Sequence, residues 1–284
     1  MTRARTCRHG VVSMGYGGPS PHSRLLPRTW LRTRPFSEPV AAAAGTLRKG
    51  SPGWYLKPLD KLPKWLSRHV IRWPLDGARN VLDADEIVTF RDDPPPPGKS
   101  PFVRGAEPTP ESIAVSPYDP TWPDQFREIA ERIRNALGMR ALSVDHVGST
   151  SVPDLHAKPV IDIDLTVADS GQESAWLPQL QRAGFKLTVR EPWWYEHRCL
   201  TLDAPRCNLH VWSPSCPEAY RHRLFRDWLR ESIEDKELYR GIKLAAAEES
   251  NSRGETISSY NERKAEVLRQ IYQRAFAAAG LLDR

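Results

Sequence analysis

Four consecutive prolines, Pro94 to Pro97 in the stretch DDPPPPGKSP, set the strongest limit on what this chain can fold into. Each lacks a backbone N–H and has its φ fixed, so neither a helix interior nor a central strand can run through them. Prolines crowd the chain as far as Pro123, whereas from about residue 112 apolar positions recur with strand and helix periods. This shift divides the 284 residues into a Pro- and Arg-rich, largely disordered extension at 1–110 and one α/β domain at 112–280. Within the extension, GWYLKPLDKLPKWLSRHVIRWPL carries more Trp and Leu than a disordered linker does, and reads as short helices at 57–72 that pack or bind a partner.

The charge follows the same division. The chain carries a net +6, but residues 1–110 hold 18 Lys and Arg against 9 Asp and Glu, which leaves the remainder near −3. A mildly acidic domain argues against nucleic acid as its partner. The first 46 residues are rich in Arg and Ser with Glu38 as their one acid, a composition that fits a mitochondrial transit peptide and equally a disordered tail or an over-long gene start. Otherwise the expected location is the cytoplasm. No apolar run reaches 18 residues, and no secretory signal is present, so no membrane span is expected. Cys7, Cys199, Cys207 and Cys216 show neither a CxxC pair nor metal-ligand spacing, and read as reduced thiols. Gly98-Lys99-Ser100 ends like a phosphate-binding P-loop, but Asp93 stands where its first glycine belongs and no apolar strand precedes it.

Inside the domain, Phe126, Ile129, Ala130, Ile133 and Leu137 fall on one helical face between Thr121 and Gly138. The strands LSVDHV and PVIDIDLTV follow, the second with Ile161, Ile163, Leu165 and Val167 on one side and Asp162, Asp164 and Thr166 on the other. A helix at about 172–183 stops at Gly184, and FKLTVR, HRCLTLD and CNLHVWS read as three more strands. Ser215 to Glu218 forms a capping-box pattern that opens a helix through AYRHRLFRDWLRES, and two further helices run at about 235–250 and 256–279. The order predicts an α/β (α+β) fold: a mixed sheet flanked by helices, with a helical C-terminal part.

Two carboxylates at i and i+2 on a strand share a face, close enough to hold Mg²⁺ or Mn²⁺, although a strand with one wet face gives the same pattern. Gly148-Ser149-Thr150 stands at a strand end where free backbone N–H groups favour phosphate. Together they outline what nucleotidyl transfer needs, since that chemistry is largely positioning and charge neutralisation.

VGS, twelve residues, then DIDL is similar to the signature of polymerase-β-like nucleotidyltransferases. YDPTWPDQF, DHVGSTSVP, AKPVIDIDLTV, NLHVW, LFRDWLRE, LYRGIK and YNERK together resemble the GrpB family of that superfamily, over roughly residues 114–276. The resemblance implies the nucleotidyltransferase fold, a nucleoside triphosphate bound with Mg²⁺ or Mn²⁺, and transfer of a nucleotidyl group to an acceptor. The alternatives it leaves open are a non-catalytic nucleotide-binding module linked to coenzyme A metabolism, since GrpB-like domains occur fused to dephospho-CoA kinases, and an interaction protein with an incidental site. It places Asp162 and Asp164 as the metal pair, Gly148, Ser149 and Thr150 as the phosphate turn, and Lys158 as a phosphate counter-charge. It also places the pairs Tyr239 with Lys243 and Tyr260 with Lys264, each sharing a helix face, over the phosphates.

Arg226 is a further candidate cation, and equally a structural partner of Asp227. Two departures from the family pattern stand out. Asp154 replaces a glycine that many members carry, and the strand that bears a third carboxylate in active nucleotidyltransferases here offers Asn208, His210 and Trp212. His210 is the candidate metal ligand or proton acceptor, with a packed histidine as the other reading. His146 reads as a packed neighbour of the site. Trp193, Trp194 and Tyr195 read either as a base-stacking surface or as aromatics at the core edge.

Overall fold

The computed structural model describes residues 82–92 and 94–282. The expected short helices at 57–72 and the arm at 1–46 lie outside the described residues. Five strands form one sheet: β1 (Ser143–Val147), β2 (Ile161–Thr166), β3 (Lys186–Glu191), β4 (His197–Asp203) and β5 (Arg206–Trp212). Their spatial order is β1-β2-β5-β4-β3, with β2 and β5 parallel and the other neighbours antiparallel. The helices are α1 (Ala84–Val88), α2 (Trp122–Leu137), α3 (Leu177–Arg182), α4 (Pro217–Glu231), α5 (Ile233–Ser252) and α6 (Ile257–Ala278). The mixed sheet with helices on both sides is the fold class that the sequence predicts.

The alternation in β2 decides the layering. Ile161, Ile163 and Leu165, with Leu200 and Leu202 of β4 and Leu209 and Val211 of β5, face Ile129, Ile133 and Leu137 of α2 and Leu180 of α3 in one apolar core. Helix α2 starts at Thr121 with Pro123 in its first turn and ends at Gly138, whose φ of 57° no β-carbon hinders. The opposite face of the sheet is not open to water. Asp164, Thr166, His197, His210 and Trp212 are all buried, with His222 of α4 against Asp164 and Trp194 against His197 and Trp212.

Two local expectations differ from the structure for identifiable reasons. The helix expected at 172–183 is a 3₁₀ turn at Glu173–Ala175 followed by the six residues of α3, because Trp176 leaves the helical region at φ −139° and Pro178 restarts the helix in its first turn. The capping box at Ser215 to Glu218 does not form: Ser215 takes a φ of +58°, Cys216 is the N-cap, and Glu218 is spent on Arg221 at 2.7 Å.

The expected boundary at residue 112 does not coincide with the start of the packed chain. Arg221 of α4, fully buried, donates to the carbonyls of Glu86, Ile87 and Thr89 at 3.0 to 3.2 Å. Phe90 packs against Tyr272 and Phe276 of α6, and Phe102 lies buried with Val189 and Cys199. Among the described residues no helix is long and apolar enough to cross a membrane.

Candidate functional site

The cavity that gathers the sequence candidates opens where β1 ends. Gly148 follows β1 with φ +68°, and a β-carbon there would stand 2.4 Å from Oδ2 and 2.7 Å from Cβ of Asp162. The turn backbone is therefore pressed directly onto the first carboxylate of β2, an approach only glycine permits. Gly148, Ser149, Thr150, Lys158, Asp162, His210, Tyr239, Lys243, Tyr260 and Lys264 all line this one cavity, with Asn208, Asn261 and His222. The sheet supplies one wall, and α5 and α6 supply the other.

Three lysines meet there. Tyr239 and Tyr260 present ring faces to the ammonium groups: Lys243 Nζ lies 4.8 Å from the Tyr239 ring centre, and Lys264 and Lys158 lie 4.1 and 5.6 Å from that of Tyr260. Lys243 is 1% exposed, and its Nζ has no hydrogen-bond partner. Burial lowers its pKa to about 7, with the Lys158 charge adding to the effect and Asp162 opposing it. Burial, and then the charges of Lys158 and Lys243, hold Lys264 well below the usual lysine value, and burial likewise lowers Lys158. Among the described residues Asp162 is the one carboxylate lining the cavity, and its Oδ1 accepts a hydrogen bond from Asn208 Nδ2 at 2.9 Å.

Asp164 does not join it. The residue is fully buried: Oδ1 accepts from Trp212 Nε1 at 2.9 Å, and both oxygens face His222 Nδ1 at 3.0 to 3.1 Å. Contact with Asp164 and Glu218 outweighs burial and raises the His222 pKa to about 10, while the His222 charge and hydrogen bond outweigh the desolvation of Asp164 and hold its carboxyl below the usual range. The pair is an imidazolium and a carboxylate, already mutually neutralised. Magnesium and manganese need several hard oxygens free to turn toward the ion. Here Asp162 is the one carboxylate among the described lining residues, β5 contributes the Asn208 amide and the His210 imidazole, and no group of three or more His, Cys, Asp or Glu suited to a metal occurs among the described residues. The residues present do not fit a two-metal centre.

The remaining candidates have structural partners. Thr150 Oγ1 lies 3.0 Å from His146 Nε2 and donates to the Val160 carbonyl. His146 stacks on Phe126 at 4.7 Å, and burial with the Arg230 and Arg226 charges lowers its pKa to about 3. Arg226 lies outside the cavity, holding Asp227 at 2.8 and 3.0 Å and the His146 carbonyl at 2.9 Å. Asp154 adopts φ +65°, a left-handed conformation that Asp tolerates better than most residues. Trp194 donates to the Arg91 carbonyl and packs on Trp212, so it belongs to the core.

Sequence reasoning missed His222, Glu191 and His197. His222 sits in a helix so rich in Arg that it reads as a solvated face. Glu191 and His197 come into line with His210 only through strand register, His197 Nδ1 lying 2.8 Å from Glu191 Oε2 and His197 Nε2 lying 3.0 Å from His210 Nδ1.

Residues 112–274, which include every residue of the cavity, match the family model described as GrpB protein. A UPF0157 protein of Halalkalibacterium halodurans is 43% identical over 166 residues, spanning 58% of this chain and 84% of that one. A dephospho-CoA kinase of Mycolicibacterium paratuberculosis is 30% identical over 190 residues, 58% of this chain but only 46% of the kinase. The crystal structure of a conserved GrpB protein from Enterococcus faecalis is 28% identical and matches at a TM-score of 0.51, covering 58% of this chain and 98% of the other. On these grounds the chain belongs to the GrpB family.

Proposed function

We propose that this protein binds the phosphate groups of a nucleotide in the lysine-lined cavity without a metal, as a binding module of nucleotidyltransferase-like fold. The observation that carries this reading is Lys243: a buried amine with no hydrogen-bond partner, facing a cavity that holds two more lysines and a single carboxylate. Leaving such a group unsatisfied is costly, and an anionic ligand relieves the cost. Three lysines whose amines burial makes reluctant to carry charge, beside one carboxylate among the described lining residues, suit a ligand with at least two negative charges, which would hold the amines protonated and which phosphoryl groups supply. The similarity of 58% of the chain to part of a dephospho-CoA kinase supports a ligand of the nucleotide class, coenzyme A precursors included.

Mg²⁺-dependent transfer of a nucleotidyl group is the second reading. The contact of Gly148 with Asp162 favours it, and the pairing of Asp164 with His222 opposes it. Calorimetric titration with ATP and with dephospho-CoA, in chelator and then in excess Mg²⁺, separates the two. The binding module retains affinity in chelator and loses it in Lys243→Gln. Binding that appears only with Mg²⁺, accompanied by pyrophosphate release from ATP, establishes the transferase, and no binding under either condition removes both.

A further inference from the structure

The buried polar face of the sheet carries a line of three side chains that ends in the cavity. Glu191 and His197 face each other across β3 and β4. His197 and His210 are diagonal neighbours across β4 and β5, since Cys199 is the residue opposite His210. Glu191 Oε2 lies 2.8 Å from His197 Nδ1, and His197 Nε2 lies 3.0 Å from His210 Nδ1. The two imidazole rings are 21° from coplanar with centres 5.3 Å apart. That spacing, with 3.0 Å between the nitrogens, sets the rings end to end, so each N–H points along the line to the next acceptor. His210 lines the cavity with Nδ1 already engaged, which leaves Nε2 as its remaining ring nitrogen. Nothing in phosphate binding uses this line.

We propose that Glu191, His197 and His210 form a proton relay that lets His210 Nε2 take a proton from an O–H group of a phosphorylated ligand held in the cavity. The protons balance as follows. Before transfer, in the form that prevails as the pH rises above about 8, His210 donates through Nδ1–H to His197 Nε2, His197 donates through Nδ1–H to the ionised Glu191, and His210 Nε2 is bare. As the ligand hydroxyl gives its proton to His210 Nε2, the Nδ1 proton of His210 passes to His197 Nε2, and the Nδ1 proton of His197 passes to Glu191. Both rings have exchanged tautomers, neither has become an imidazolium, and Glu191 is neutral. The ligand keeps the electron pair as an oxyanion facing Lys158, Lys243 and Lys264. His210 is the group that touches the ligand, and His197 and Glu191 act through it.

The surroundings suit this arrangement. Burial raises the Glu191 pKa to about 8, opposed by Arg198, and lowers those of His197 and His210 to about 3 and about 4. The charges that face the relay from β2 and α4 are Asp162, Asp164, His222 and Glu218, with Arg198 on β4. Asp164 and Glu218 favour a cationic His197, and Asp164 and Asp162 a cationic His210, but burial, with the charge of His222, outweighs them. Trp212 lies over His197 with ring centres 4.3 Å apart, which keeps water from the middle of the line. A proton therefore rests more easily on the distant carboxylate than on either ring.

The relay extends the proposed function and uses the same cavity, but it is tested in the ligand-free full-length protein, so a failure of nucleotide binding and a failure of the relay are read separately. Nitrogen NMR of histidine-labelled protein distinguishes a bare ring nitrogen from one bearing a proton. The expected result is that His210 Nε2 changes from protonated to bare, and Nδ1 the reverse, with a midpoint near 8, both rings remaining neutral. In Glu191→Gln the change is lost and His210 holds one tautomer throughout. A His210 that keeps one tautomer in the wild type, that becomes an imidazolium in this range, or that switches equally in Glu191→Gln overturns the relay. Should Glu191→Gln fail to fold, the wild-type titration decides by the first two of these outcomes.

Discussion

His222 and Asp164 form an ion pair from which water is excluded, with 3.0 Å between Nδ1 and Oδ2 and neither side chain more than 1% exposed. An acid that the sequence offers to a metal is satisfied instead by a cation on α4. Such a pair is stabilising only while both members are present, because removing one leaves a buried charge alone.

Replacing His222 by Gln is expected to cost about 3–5 kcal/mol near pH 6, the usual range for a broken buried pair. The folded-state pKa of His222 lies above its unfolded value, so its contribution is fully present below 6.5 and is lost as pH rises through about 10. The gap between wild type and variant in urea denaturation should therefore shrink from 6.5 toward 10. A gap that widens over that interval would show the histidine to be neutral in the fold.

Lys243→Met is expected to stabilise the ligand-free protein by about 1–3 kcal/mol, since it removes an unsatisfied buried amine and keeps the length of the side chain. Here the folded pKa, about 7, lies below the unfolded 10.5, so the advantage of Met is full below 7 and vanishes as pH approaches 10.5. Melting temperatures of both proteins across this interval check the sign. An unchanged or lowered value at pH below 7 would mean that the amine has a partner in the folded protein.

Gly148→Ala should lose about 1–3 kcal/mol, because its φ of +68° strains a β-carbon and the Asp162 Cβ, 2.7 Å away, cannot swing aside as a flexible chain end would. Displacing Asp162 also breaks its hydrogen bond with Asn208, so phosphate affinity should change together with stability. Equal melting temperatures for the two proteins would contradict this close approach.

A chain that begins at residue 112 should be less stable than one that begins at residue 82, by on the order of 3 kcal/mol. The shorter chain lacks the carbonyls of Glu86, Ile87 and Thr89 that Arg221 holds, as well as the Phe90 contact with Tyr272 and Phe276. Comparison of the two by urea denaturation measures the loss, and coincident curves would return the fold's boundary to residue 112.

Sheet and helices were legible because their signals are local: the alternation of β2, the apolar stripe of α2, and Gly138 at its end. Lys243 and Lys264 were legible as members of Tyr–Lys pairs one helical turn apart, and family resemblance brought the two pairs, with Lys158, to one place. The state of Asp164 was not legible. Period-2 patterning says that Asp162 and Asp164 share a face, but what covers that face depends on α4, whose Glu218, Arg221 and His222 satisfy one another and Asp164 and so carry charge into the interior. Glu191 and His197 were illegible for another reason. A diagonal contact exists only once the registers of β3, β4 and β5 are set, and nothing within any one strand announces it.

The cavity is also a seam. Lys158 approaches from the sheet side, Lys243 and Lys264 from the two C-terminal helices, and like charges push the two sides apart. Asp162 supplies an opposing charge, and the Tyr260 ring of α6 draws Lys158 across from the sheet side. An anion entering from solvent would touch both sides at once and reverse the sign of the force between them. Occupancy would then act as mortar between sheet and helices, tightening the molecule around whatever it holds.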